Sequence, residues 1–263
     1  MHIPVFIVDA FTKGSFTGNP AAVVPLDSWL PEETLQKMAA EHNQAETAFL
    51  VKEEKGMHIR WFTPTVEVDL CGHATLATSY VLWNKLGYTE ETISFHSRSG
   101  ALHVVKTGDA MTLDFPMDFF LDTEAPDKLL KGLRTEPKET YIGKTDYLCV
   151  FESEEKVRRM DPDFAILAEV RARGVIVTAP GMDKDFVYRF FGPQAGINED
   201  PATGSAQTTL MPYWSKKLNR TELVSLQLSK RTGHFHSVLQ NDRVLITGHA
   251  QLYLEGKIFM DDL

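Results

Sequence analysis

Glu67-Val68-Asp69-Leu70-Cys71-Gly72-His73-Ala74-Thr75 and, far downstream, Asn198-Glu199-Asp200-Pro201-Ala202-Thr203-Gly204-Ser205-Ala206 are built on one plan. In each, an acidic loop runs into a glycine that is followed by a polar residue, an alanine and a helical pattern. That is how a chain presents bare backbone N–H groups at a helix start. Two such starts in one chain predict an anion clamped from both sides.

A duplicated unit repeats its other landmarks at nearly constant separation. Arg60-Trp61-Phe62-Thr63-Pro64 returns as Arg189-Phe190-Phe191-Gly192-Pro193, an offset of 129. Gly72 and Gly204 lie 132 apart, and Arg98-Ser99-Gly100 returns as Arg231-Thr232-Gly233 at 133. Three matches in the same order predict two homologous halves, 1–118 and 119–263, with the last strands free to return to the first half and the functional cleft between the halves.

At 263 residues, two domains of ordinary size fit this reading. An apolar fraction of 43% and a charged fraction of 24% are those of a soluble globular protein. A net charge of −9 without a basic cluster argues against nucleic acid as a partner. No stretch has the length of a membrane span, and the opening Met1-His2-Ile3-Pro4 has no basic region of a signal peptide, so a reducing cytoplasm is expected. Cys71 and Cys149 make neither a disulfide framework nor a zinc spacing, and the scattered histidines suggest no metal cage.

Periodicity predicts strands at Val5–Phe11, Ala21–Val24, Thr47–Lys52 and Met57–Phe62, the last two paired, with a helix from Pro31 to about His42. From His73 to Leu86 the chain is apolar on nearly every face, so that helix is enclosed rather than laid on a surface. Strands at Thr92–Arg98, Ala101–Lys106 and Met111–Phe115 complete a largely antiparallel sheet curled about it. The second half repeats the pattern, with strands near Tyr147–Phe151, Val175–Ala179 and Val187–Phe191, a helix from Gly204 to about Lys217, and strands from Val224 to Ile258. Two short charged helices between Glu152 and Arg173 have no counterpart upstream and read as surface insertions.

Glu46 is a carboxylate in an otherwise apolar segment, where burial raises a pKa towards neutrality and makes a useful acid/base. From local sequence alone it reads more simply as a strand-end glutamate facing water or capping a turn. His73 at the helix start suits proton relay beside a bound anion, or a capping or packed role. Ser205 takes the equivalent place in the second half, where serine is also an ordinary helix-start residue, and Asp200 beside Pro201 also suits a turn. The duplication singles these four out together. Cys71 invites comparison with a two-thiol racemase, which needs a base on each face of a carbon, but the equivalent residue is Thr203, which cannot be the second base. Dinucleotide fingerprint, phosphate loop, metalloprotease motif and nucleophile elbow are all missing from the sequence.

Val8-Asp9-Ala10-Phe11, Phe16-Thr17-Gly18-Asn19-Pro20-Ala21-Ala22-Val23, Glu46-Thr47-Ala48-Phe49, Arg60-Trp61-Phe62-Thr63-Pro64, Cys71-Gly72-His73-Ala74-Thr75 and Glu199-Asp200-Pro201-Ala202-Thr203-Gly204-Ser205-Ala206 together resemble the PhzF-type phenazine-biosynthesis-like family. The resemblance implies an α+β, diaminopimelate-epimerase-like fold, two pseudo-symmetric halves each with a mainly antiparallel sheet rolled around a central helix, usually in a homodimer and without cofactor. It also implies isomerisation of trans-2,3-dihydro-3-hydroxyanthranilate or a similar small carboxylate-bearing substrate. Glu46 would then resemble the proton-shuttling carboxylate, His73 and Asp200 the groups that orient substrate and assist transfer, and Gly72, Gly204 and Ser205 the substrate-binding set. An amino-acid or hydroxy-acid epimerase and a non-catalytic small-molecule-binding regulatory protein are the alternative readings.

Overall fold

The computed structural model describes residues 2–54 and 56–260. The chain forms two compact units, Met1–Asp114 with Thr247–Leu263, and Phe115–Ile246.

In the first unit β1 (His2–Ala10), β2 (Asn19–Leu26), β3 (Glu46–Glu53), β4 (Gly56–Phe62), a short β5 (Glu67–Val68), β6 (Thr92–Ser97), β7 (Gly100–Thr107) and β8 (Ala110–Pro116) surround α2 (Gly72–Asn84), with α1 (Glu32–His42) outside. β1 is antiparallel to β2 and to the chain's last strand, Ala250–Phe259. That ladder ties Ala250–Phe259 to the first unit. β2 runs parallel to β3, β3 antiparallel to β4, β4 parallel to β6, and β6 to β8 form a meander.

The unbroken apolar runs of β2 and β3 follow from cover on both faces. α1 lays Leu35, Met38 and Ala39 on Val24, Phe49 and Phe62, while α2 packs against β1, β2 and β3. Enclosure of α2 on all sides matches its sequence, and its buried hydroxyls are satisfied internally. Thr75, Thr78 and Ser79 each donate to the carbonyl four residues back, at 2.6, 2.8 and 2.9 Å.

The second unit contains β9 (Leu121–Asp122), α3 (Asp127–Leu133), β10 (Glu139–Ile142), β11 (Asp146–Val150), α4 (Glu154–Arg158), α5 (Phe164–Leu167), β12 (Gly174–Pro180), β13 (Phe186–Phe191), α6 (Gln207–Leu218), β14 (Glu222–Gln227), β15 (Gly233–Gln240) and β16 (Arg243–Gly248); the last strand is β17. Here β11 is parallel to β12, β12 antiparallel to β13, β13 parallel to β14, and β14 antiparallel to β15. This is the alternation seen from β2 to β7, so the repeat extends to strand direction.

It also corrects the reading of the charged helices. A parallel strand pair needs a crossover, and α4 with α5 bridges β11 and β12 as α1 bridges β2 and β3. Val157 and Leu167 are fully buried in a core with Leu133, Phe151, Val177 and Phe191, so these helices are structural rather than surface insertions.

The duplication extends to side chains. Arg60 on β4 grips Glu67 through Nε–Oε1 and Nη2–Oε2 contacts of 2.7 and 2.6 Å, with its guanidinium 5.1 Å over Phe62. Arg189 on β13 grips Glu199 at 2.7 and 2.9 Å, 4.9 Å over Phe191. Each bidentate pair ties a strand to the acidic loop preceding a helix start. Among the described residues no helix is long and apolar enough to cross a membrane.

Candidate functional site

The structure brings Glu46, Gly72 and His73 together within the first unit. Glu46 is the first residue of β3, registered against Ala21, and its side chain is 15% exposed. Gly72 opens α2 behind Cys71, whose extended backbone ends the acidic loop and whose side chain makes no capping hydrogen bond. The first N–H groups of α2 therefore have neither an intrahelical partner nor a side-chain cap, which suits an anionic ligand atom.

His73, the second helical residue, carries a buried imidazole with different neighbours at its two nitrogens. Nε2 stands 3.2 Å from Glu46 Oε2. Nδ1 lies 3.3 Å from Asn19 Nδ2 and 3.4 Å from Cys71 Sγ. An amide nitrogen only donates, so Nδ1 accepts and the ring proton of a neutral imidazole sits on Nε2, within ion-pair distance of the carboxylate but outside hydrogen-bond geometry. Asn19 is fully buried at the start of β2, directly after Gly18, whose φ of +76° and close approach to the Ala10 carbonyl exclude a side chain.

Donor atoms of Glu46, Cys71 and His73 all lie within 4.8 Å of one another, a reach that suits a metal ligand set. Thiol, imidazole and carboxylate thus cluster around one another, with Cys71 Sγ nearest Nδ1 and Glu46 Oε2 nearest Nε2.

Asp200, Gly204 and Ser205 come together within the second unit. Asp200 accepts from the Thr203 hydroxyl, and Thr203 N–H donates to Gln227 Oε1 at 2.6 Å. Gln227 is fully buried and returns its amide to the Asp200 carbonyl, Ser229 holds the Pro201 carbonyl at 2.6 Å, and the Tyr188 hydroxyl holds that of Thr203 at 3.1 Å. Gly204–Ala206 forms a 3₁₀ turn leading into α6, and Thr203, like Cys71, offers no side-chain cap to the turn it precedes. Ser205 Oγ accepts from Arg173 Nη2 at 3.2 Å. The other sulfur, Cys149, is fully buried in the core, where burial pushes its thiol pKa up.

A family model of the phenazine biosynthesis-like protein matches residues 8–256. The chain belongs to the phenazine biosynthesis-like family. It is 48% identical over 259 residues to an uncharacterized isomerase of Pseudomonas aeruginosa, covering 98% of this chain and 99% of that one. A crystal structure of a PhzF family protein from Enterococcus faecalis is 45% identical, covers 99% of this chain and 100% of its own, and superposes with a TM-score of 0.96. A hydroxyproline epimerase of Agrobacterium vitis, at 11% identity, 99% and 93% coverage and a TM-score of 0.61, shares the fold. This PhzF-family member thus has the diaminopimelate-epimerase-like α+β architecture expected from its motifs.

Sequence reasoning gave no role to Asn19, Arg173 or Gln227. Asn19 lies within a quoted motif, yet Thr-Gly-Asn-Pro reads as a turn; its contact with His73 spans 54 positions. Arg173 ends a charged stretch and has no motif around it.

Proposed function

We propose that this protein is a cofactor-independent isomerase that moves a proton within a small carboxylate-bearing substrate of the trans-2,3-dihydro-3-hydroxyanthranilate type. The observation that carries the reading is the Glu46–His73 pair at the uncapped start of α2, backed by Asn19 and Cys71. High identity across nearly the whole length to a relative named an isomerase supports the reaction class.

In this reading Glu46 takes a proton from a ring carbon as the C–H bond breaks, the electron pair spreads into the conjugated system, and the same carboxyl returns the proton to another carbon. His73 holds Glu46 in place, Asp200 assists orientation and transfer, and the Gly72 and Gly204 backbones with Ser205 bind the substrate carboxylate. A two-thiol racemase is disfavoured, because the residue equivalent to Cys71 is Thr203 and its hydroxyl is committed to Asp200.

The test is to incubate purified protein with trans-2,3-dihydro-3-hydroxyanthranilate and follow its disappearance, wild type beside Glu46→Gln. Turnover by the wild type alone supports the proposal; inertness of the wild type or full activity of the variant removes it. Proton transfer by Glu46 beside His73 needs no ion, so exhaustive dialysis against a chelator should leave the rate unchanged, and a loss restored by added metal would argue for an ion held by Glu46, Cys71 and His73. Assembly as a cytoplasmic homodimer is part of the proposal, and light scattering at the mass of one chain would contradict the dimer.

A further inference from the structure

Arg173 has the features of a supporting residue for ligand recognition. Its guanidinium forms a two-point contact with Asp146, through Nε–Oδ1 at 2.9 Å and Nη2–Oδ2. The Asp146 side chain is only 3% exposed, so this fork is fixed from below by a buried carboxylate. The face of the guanidinium lies 5.3 Å over the Phe190 ring. Its backbone N–H is tied to the Thr145 carbonyl at 2.7 Å. An arginine so held has one orientation, and in it the second proton of Nη2 goes to Ser205 Oγ.

A serine hydroxyl has one proton and two lone pairs. With one lone pair taken by a cation, the remaining proton is polarised and its direction restricted. Ser205 is partly exposed at the first turn of the α6 start, so the hydroxyl is turned into an oriented donor beside backbone N–H groups.

We propose that Arg173 is a positioning residue for carboxylate recognition: fixed by Asp146 and Phe190, it orients the Ser205 hydroxyl as a donor to the ligand's carboxylate. This rests on the reading of Ser205 as a carboxylate-binding residue. Lysine at 173 keeps a positive charge beside Asp146, but a point charge cannot chelate that carboxylate and reach Ser205 in one fixed geometry.

The experiment measures binding of anthranilate, a ring carboxylate, and of anthranilamide, its uncharged counterpart, to the full chain by calorimetry. Wild type, Ser205→Ala, Arg173→Lys and the double variant form a cycle. Ser205→Ala should weaken anthranilate about ten- to a hundredfold, the loss of a hydrogen bond to a charged group. Arg173→Lys should weaken it by a similar factor, the double variant no further, and anthranilamide should respond much less in each.

Failure of wild type to bind anthranilate, or equal binding by Ser205→Ala, would overturn the carboxylate reading of Ser205 and this inference with it. A weakened Ser205→Ala beside an unaffected Arg173→Lys, additive losses, or equal loss of amide and carboxylate would overturn the inference alone. Should Arg173→Lys fail to fold, Asp146→Asn with Arg173→Gln removes the buried charge together with its partner and enters the same cycle.

Discussion

In the proposed reaction the proton shuttle is Glu46, which stands at the head of β3 with its side chain 15% exposed and the His73 imidazole 3.2 Å away. Removing the charge while keeping the shape, as in Glu46→Gln, should cost about 10²- to 10⁴-fold in kcat, the usual worth of a positioned general base. In the proposed mechanism Asn19 acts one step further out, its amide 3.3 Å from Nδ1 setting the imidazole tautomer. Asn19→Ala should lower kcat about tenfold with little change in KM, since only proton transfer depends on which ring nitrogen carries hydrogen. A matched rise in KM would place Asn19 in substrate binding instead. At this scale the sequence was legible where a candidate residue sits in a motif, as with Glu46 and His73, which the structure brings together. It was opaque where a partner comes from a distant strand, as at Asn19 and Arg173, because only the register of β1 with β2 and the crossover from β11 to β12 bring those residues into place.

Among the elements, the paired pins Arg60–Glu67 and Arg189–Glu199 are what the repeat looks like in physical terms. Glu67 is 6% exposed, and its hydrogen bonds hold the Arg60 guanidinium pKa above its ordinary value. Glu67→Ala should destabilise by about 2 kcal/mol in urea unfolding, less than a fully buried pair would lose because exposed Glu32 also contacts Arg60. An unchanged midpoint would mean the pin only orders the loop. A second network ties β10 to α6: Glu139 accepts from Tyr141 at 2.8 Å and Tyr213 at 2.9 Å. Burial first, and then the Glu139 hydrogen bond and charge, push the Tyr141 phenol up to about 12. An unfolded tyrosine titrates near 10, so its contribution to stability is whole below that pH and is lost as pH rises from about 10 towards 12. Tyr141→Phe should flatten the fall of the urea midpoint across that window; an identical slope would show that Tyr141 keeps no proton advantage in the fold. The motif offsets made the repeat readable, but α4 and α5 were misread because their counterpart α1 shares their place in the topology and not their sequence.

For the whole molecule, the chain closes its first unit with its last strand. β17 runs beside β1 from the His2–Phe259 pair to the Ala10–Ala250 pair, with a single register shift at Ile7/Val8. A chain cut before Ala250 leaves β1 without that ladder and should be recovered unfolded or insoluble, and a soluble, cooperatively melting fragment would show the ladder to be dispensable. The two halves repeat one topology and one uncapped helix start, yet the first sets the Glu46–His73 contact beside that start, while the second sets there the Asp200 loop and the Arg173–Ser205 contact. Duplication followed by such divergence predicts one asymmetric reaction served by a single base. The most direct measurement is proton NMR in D₂O of trans-2,3-dihydro-3-hydroxyanthranilate with wild type and with Glu46→Gln. The account predicts isomerisation or deuterium entry at a ring carbon with the wild type and neither with the variant; exchange by both, or by neither, would contradict it.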